Sequence, residues 1–505
     1  MVDHEHRLSR RTFIRGTAAG LGYLALSGCD LGRSDRLRRP NIVYIVADDM
    51  GYGDPGCFNP DSKIPTPHMD RLALEGMRFT DAHSGSAVCT PTRYGILTGR
   101  YAWRSRLKAH VLWGYSPPLI EPGRMTVASL LGDQGYHTGC VGKWHLGLGW
   151  ATTDGVTPGD GSNETGENID YSRPLTDGPT THGFDYFFGI PASLDMVPYV
   201  YVENDRVTAS PTEWTEGMGG LAFYRAGPAA PGFDHEQVLP TLTEKAVTFI
   251  ERHHEDRPAD PFFLYFPLPS PHTPVLPTPE YQGRSGAGPY GDFVAQTDGT
   301  VGEILEALDR LGLTDDTLVI VTSDNGSTMT PMEEYEHLPN DGLRGRKSDV
   351  WDGGHRIPFL ARWPGVVPAG STCDETICLT DLLATCAELT GAPLSADAGE
   401  DSWSVLPALE GGSPGPLREA TVHHSIEGMF AVRQGRWKLI EGRGSGGWTP
   451  GGEDDEAPGQ LYDMVADIDE GTNLYGQRPD IVAELTALLD RYRRQGRSAP
   501  EARSW

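Results

Sequence analysis

A chain of 505 residues can bury a large core, as one big α/β domain with an appendage or as two or three domains. Its 42 Lys and Arg against 70 Asp and Glu leave a formal charge of −28, which disfavours sequence-independent binding to nucleic acid and obliges an anionic substrate to find a local basic pocket. With 38% hydrophobic residues, 63 glycines and 40 prolines the chain is neither a coiled coil nor disordered, and no apolar run after residue 40 is long enough to span a bilayer.

The N-terminus reads as a targeting segment. Ser9-Arg10-Arg11-Thr12-Phe13-Ile14 sets a twin arginine before the mildly apolar stretch Gly16 to Ser27, which resembles a signal for the Tat machinery that exports folded proteins. Leu26-Ser27-Gly28-Cys29 resembles a lipobox, so the expected destination is the cell envelope or the exterior, with lipidation of Cys29 as the sole membrane attachment and an ordinary cleaved signal as the alternative. Residues 1–39 are therefore set aside from the fold as signal and linker.

Asn41 to Ala47 is a continuous β-branched, apolar run that stops at Asp48-Asp49, as a fully buried parallel strand does. Thr66-Pro67 is a helix start, and a second helix is expected over Thr92 to Tyr101. Asp154 to Thr181, rich in Gly, Asp, Asn and Thr, reads as a surface loop. Pro261 to Pro267 is another apolar run, emptying into Ser270-Pro271-His272-Thr273-Pro274. Val294, Val301, Leu305, Leu308 and Leu311 recur at helical spacing before Gly312, and Thr317 to Thr322 repeats the strand pattern up to Asp324-Asn325.

Alternating strands and helices imply an α/β fold with a large, mostly parallel, doubly wound sheet flanked by helices. In such sheets ligands sit beyond the carboxyl ends of the strands, where these runs deliver their polar residues. After about Glu410 the pattern changes to short runs, Met429 to Val432 and Trp437 to Ile440, a Gly-rich acidic loop from Gly442 to Gly459 and the amphipathic stretch Ile481 to Tyr492. The expected organisation is a catalytic domain over 40–410 and a smaller C-terminal α+β subdomain over 411–505. Apart from Cys29 and Cys89, the cysteines are Cys57, Cys140, Cys373, Cys378 and Cys386, an odd set with no zinc-type spacing, so no essential disulfide is expected.

Cys89-Thr90-Pro91-Thr92-Arg93, followed by Leu97-Thr98-Gly99-Arg100, closely resembles the signature of the type I sulfatases, in which the cysteine is oxidised to formylglycine. Asp48-Asp49-Met50-Gly51, Gly142-Lys143-Trp144-His145-Leu146-Gly147, His272, Asp324-Asn325-Gly326 and Lys347 follow the family order, and Leu461-Tyr462-Asp463 with Asn473-Leu474 looks like its C-terminal element. The resemblance implies the alkaline phosphatase-like fold, sulfate monoester hydrolysis and a formylglycine-generating maturation enzyme as partner. Thr92 stands where many members carry serine, which keeps the hydroxyl.

A sulfate monoester repels anionic nucleophiles, so the site must supply cations and a metal. Asp48, Asp49, Asp324 and Asn325 offer hard oxygen ligands that suit Ca²⁺ or Mg²⁺ and disfavour zinc; calcium is the family's usual ion, with position 89 in its coordination sphere. Arg93, near a helix start, can steady the aldehyde hydrate. Lys143 and His145 are two apart, so in an extended segment both face one side.

The resemblance further implies that one hydroxyl of hydrated formylglycine attacks sulfur to give a sulfo-enzyme ester. His145 then takes the proton of the other hydroxyl, and sulfate leaves by C–O cleavage. Lys347 and His272 share ester binding and protonation of the leaving alcohol. Asp195, Tyr199, Arg346 and His424 are expected substrate contacts. The substrate is a sulfated carbohydrate or an aryl sulfate, with the carbohydrate favoured by analogy. The rival readings are a phosphate or phosphonate ester hydrolase of the same fold, which Cys89 argues against, and an inactive sulfated-glycan-binding protein, from which ligands would be missing.

Overall fold

The run Asn41–Asp48 forms β1, and its alternation explains why it is apolar on both sides. Ile42, Tyr44 and Val46 enter one hydrophobic core while Val43, Ile45 and Ala47 enter another, as the period of two requires when both faces of a sheet are covered. This is a computed structural model; it describes residues 39–501 apart from 162–164, 330–331, 413–414 and 453–455. The targeting reading falls outside the described residues; among the described residues no helix is long and apolar enough to cross a membrane.

The other strands of the large sheet are β2 (Met77–Phe79), β3 (His137–Lys143), β4 (Tyr186–Ile190), β5 (Val202–Glu203), β6 (Arg206–Val207), β7 (Phe262–Pro271), β8 (Thr317–Ser323), β9 (Phe359–Arg362) and β10 (Ser371–Cys373). The ten strands lie in the order β10-β2-β9-β8-β1-β7-β3-β4-β5-β6. The central five, β8 to β4, are parallel throughout, while β9, β5 and β6 add antiparallel margins.

Helices cover both faces. One core takes side chains from α2 (Cys89–Thr98), α3 (Val127–Asp133) and α6 (Leu382–Thr390); the other takes α1 (Pro67–Glu75), α4 (Val238–Asp256) and α5 (Gly288–Leu311). The first three runs read as strands and the long helical run thus stand where the sequence placed them. Helix α2 begins at Cys89 rather than Thr92, because Pro91 falls in its first turn, where a missing N–H costs nothing.

Beyond residue 410 the chain forms an antiparallel sheet, β11 (Thr421–His424), β12 (Phe430–Gln434), β13 (Trp437–Ile440) and β14 (Gln460–Asp463), followed by α7 (Pro479–Gln495). Its apolar face shares a core with Tyr101, Trp103 and Cys378 of the preceding region. Cys57, Cys89, Cys140, Cys373, Cys378 and Cys386 are all free thiols.

Candidate active site

The parallel register delivers the polar strand ends to one place. Ala47 pairs with Ser323 and Asp48 with Pro271, so Asp48-Asp49 lies between Asp324-Asn325 on one side and His272 on the other. At Asp49 the backbone turns through φ +68, a left-handed conformation that Asp tolerates better than most residues. Its amide then donates to Asp324 Oδ1 at 3.2 Å and the Met50 amide to Ser323 Oγ at 3.0 Å.

Cations interleave with these acids. Lys143, the last residue of β3, places Nζ 2.6 Å from Asp48 Oδ2 and 3.2 Å from Ser193 Oγ. The Arg93 guanidinium donates through Nε and a terminal nitrogen to Asp324 Oδ2, at 3.1 and 2.7 Å, and through its other terminal nitrogen to the Lys143 carbonyl. Lys347 Nζ lies 2.8 Å from each Asp49 oxygen. Three carboxylates therefore face one arginine and two lysines, all buried.

Cys89 is the first residue of α2, where free N–H groups and the helix dipole favour negative charge. Its Sγ and one oxygen each of Asp48 and Asp324 lie within 4.8 Å of one another. Asp48 Oδ1 and Asn325 Oδ1 are buried with no hydrogen-bond donor. Orphaned acceptors beside crowded carboxylates fit a hard divalent cation.

Electrostatics sort these groups. Burial pushes Asp324 up to about 7, aided by the neighbouring Asp48 charge. Burial acts on Asp48 and Asp49 too, but Lys143 overrides it at Asp48 and Lys347 at Asp49, so both are held below the usual carboxylate range. Burial also raises the Cys89 thiol, despite Lys143 and Lys347, so an unmodified Cys89 is not a thiolate. His145 is depressed well below 6.5 by burial and the charges of Lys143 and Arg93. Its Nε2 lies 2.8 Å from the Leu112 carbonyl, which can only accept, so Nε2 carries the proton and the buried, unpartnered Nδ1 is a free base.

The sulfatase family model matches residues 40–392, well over half of the chain. The chain belongs to the sulfatase family. It is 35% identical over 520 aligned positions to an N-acetylgalactosamine-6-O-sulfatase of Bacteroides thetaiotaomicron, covering 93% of this chain and 97% of the relative. It is 33% identical to human arylsulfatase A, covering 89% and 87%. A sulfatase structure from work on glycosaminoglycan metabolism by Bacteroides thetaiotaomicron superposes with a TM-score of 0.78 at 34% identity, covering 90% of this chain and 99% of the other. This protein is thus a sulfatase, hydrolysing sulfate esters on the alkaline phosphatase-like fold. A phosphonate monoester hydrolase of Agrobacterium radiobacter, with a TM-score of 0.58 at 20% identity, shares the fold alone.

The fold of this sulfatase brings together Asp48, Asp49, Cys89, Arg93, Lys143, His272, Asp324, Asn325 and Lys347. His145 belongs with them, but not by the expected extended geometry. β3 ends at Lys143, and His145 takes φ +56.

The four expected substrate contacts divide. Arg346 is half-buried, with a terminal nitrogen 3.3 Å from the carbonyl of Thr328. His424 donates Nδ1–H to the Ser425 carbonyl and keeps Nε2 buried without a partner, its pKa lowered by burial to about 4. Its backbone carbonyl accepts from Ala87, just ahead of Cys89. Asp195 pairs with Arg225. Tyr199 corrects the expectation: it is 1% exposed, and its single hydroxyl proton goes to the Arg225 carbonyl at 2.7 Å, so it braces the wall instead of facing a ligand.

Sequence reasoning missed Thr328, whose hydroxyl donates to Asp49 Oδ2 at 2.6 Å, and Ser193, which bridges Lys143 and His272 Nδ1. It also missed Asp54, which takes hydrogen bonds from the Tyr290 hydroxyl, His337 Nε2 and the Gly51 amide behind Asp49. Only contacts across long sequence separations mark these residues.

Proposed function

We propose that this sulfatase removes sulfate from a sulfated carbohydrate, using formylglycine made from Cys89 and one Ca²⁺, with Mg²⁺ as the alternative ion. The observation that carries this is the placement of a buried, protonated Cys89 at a helix N-terminus beside Asp48 and Asp324, in a site where Asp48 Oδ1 and Asn325 Oδ1 lack donors. As formylglycine, position 89 supplies a hydrated aldehyde with two hydroxyls, one to attack sulfur and one whose deprotonation releases sulfate. Asp48, Asp49, Asp324 and Asn325 would hold the ion, which would supply positive charge against the ester oxygens.

Around these groups the chain's own residues act as positioned acids and bases. Arg93 fixes Asp324 through two donors and leaves its carboxylate aligned. Lys143 and Lys347, held against Asp48 and Asp49, bind the sulfate oxygens. His145 Nδ1 accepts the hydroxyl proton. His272 is held through Nδ1 to the Thr273 carbonyl at 2.5 Å and turns Nε2 to within 3.7 Å of Asp49 Oδ2, where it and Lys347 serve the leaving alcohol.

The carbohydrate assignment is supported by the N-acetylgalactosamine-6-O-sulfatase relative, which covers nearly the whole chain. The twin arginine supports Tat export after oxidation of Cys89 by a formylglycine-generating enzyme, and Cys29 supports lipid anchoring. The family match to residue 392 supports the division into a catalytic domain over 40–410 and a subdomain over 411–505.

The test is protein co-produced with a formylglycine-generating enzyme, assayed on N-acetylgalactosamine 6-sulfate and nitrophenyl sulfate, with mass spectrometry of the peptide across residue 89. Activity that rises with the aldehyde fraction supports the reading. Full activity from unmodified Cys89 overturns it.

A further inference from the structure

Next to the reactive cluster, a wall formed by residues 112–114, 193–199 and 221–225 carries an ion pair that sulfate chemistry does not use. Asp195 lies two residues beyond Ser193, whose hydroxyl meets Lys143 and His272. Trp113 follows Leu112, whose carbonyl holds His145 and whose amide donates to the hydroxyl oxygen of Thr90, the neighbour of Cys89. The two segments close on each other at Gly114, where a Cβ would fall 1.9 Å from the Val197 carbonyl oxygen.

Arg225 ties this wall together. It pairs with Asp195 Oδ2, donates to the Asp195 carbonyl at 3.0 Å, and lies 4.7 Å from the Trp113 ring centre and 5.1 Å from that of Phe223. Flanking aromatic rings fix a guanidinium in one plane, so its remaining donors are preorganised. Both hydrogen bonds to Asp195 run from one terminal nitrogen, and no described residue accepts from Nε or the other. Asp195 Oδ1, though buried, has no donor at all. Arg225 is 36% exposed along its side chain and Phe223 is 37% exposed, so the pair opens to solvent on this side.

We infer that Trp113, Asp195, Phe223 and Arg225 form a subsite for the sugar ring of the sulfate ester, taking a neutral vicinal diol. An unpartnered acceptor and unpartnered donors on one charge-balanced pair match a hydroxyl that donates next to one that accepts. A sugar carboxylate fits worse, because Asp195 would repel what Arg225 attracts. The exposed Phe223 ring offers an apolar face for ring C–H groups. This subsite deepens the carbohydrate reading of the proposed function and rests on it.

The experiment compares kcat/KM for N-acetylgalactosamine 6-sulfate and for nitrophenyl sulfate, which has no diol, in matured wild type, Asp195→Asn, Arg225→Met and Phe223→Ala. The sugar-to-aryl ratio should fall about tenfold in each variant, mostly through KM for the sugar. Phe223→Ala removes an exposed ring and keeps the test available should a change to the ion pair prevent folding. A wild type that cleaves both esters, with a ratio unmoved by Asp195→Asn and Phe223→Ala, overturns the subsite alone. A wild type that cleaves the aryl ester and none of a panel of sulfated sugars overturns the carbohydrate reading and the subsite with it.

Discussion

The acids around Cys89 and the histidines around His83 are two buried clusters of ligand-type side chains, and both bring three such atoms within 4.8 Å of one another. In the second, all six ring nitrogens of His83, His355 and His423 have partners. His83 bonds His355 Nδ1 and Asp81, His355 Nε2 meets Lys438 and the Val350 carbonyl, and His423 bonds the Ser84 carbonyl and Thr421 Oγ1. Lys438 Nζ lies 2.7 Å from Asp352 Oδ1 and 2.8 Å from Glu470 Oε1. In the first, Asp48 Oδ1 and Asn325 Oδ1 lack hydrogen-bond partners, as does His145 Nδ1.

The contrast teaches that residue type does not mark the reactive site; unsatisfied buried atoms next to a nucleophile do. The saturated cluster serves another end. Through His423 and Ser84, and through the Ala87 amide on the His424 carbonyl, it fastens the C-terminal sheet to the loop that leads into Cys89.

Breaking the reactive cluster should therefore abolish chemistry and leave folding intact, whereas breaking the saturated one should do the reverse. The largest effect is expected for Cys89→Ala, with kcat/KM lower by roughly 10⁵-fold or more in a turnover assay and an unchanged melting temperature. For His145→Ala, sulfate release should slow by roughly 10²- to 10⁴-fold, measured as the rate after a rapid first turnover. Because its pKa is depressed, wild-type His145 keeps its lone pair as pH falls through 6.5. The release rate should stay level there and fall only at much lower pH, and an inflection near 6.5 that vanishes in His145→Ala would contradict that assignment.

Lys438→Met removes the buried cation shared by Asp352 and Glu470 and should lower stability by about 3–5 kcal/mol in denaturant titrations, with little change in ion affinity. The smallest effect is expected for Thr328→Val. Losing the hydroxyl on Asp49 Oδ2 should weaken ion binding by about ten- to a hundredfold, read from the ion concentration that restores activity after chelation.

The sheet was legible because its central strands are buried on both faces and so read as unbroken apolar runs ending in polar pairs. The signature around Cys89 gave the core of the site, but two local geometries escaped. Period-two reasoning put Lys143 and His145 on one strand face, yet the strand stops between them. Tyr199 looked like a ligand contact because a tyrosine's sequence neighbours do not reveal that its hydroxyl is spent on a carbonyl. Thr328 and Ser193 were invisible because what defines them is contact with Asp49 and Lys143 across long stretches of chain.

Calorimetric titration of Ca²⁺ into chelated, matured protein tests the contrast most directly. The account predicts a single ion bound by wild type, bound equally well by His423→Gln and much more weakly by Asn325→Ala. No binding by wild type, or binding that is lost in His423→Gln and kept in Asn325→Ala, would contradict it.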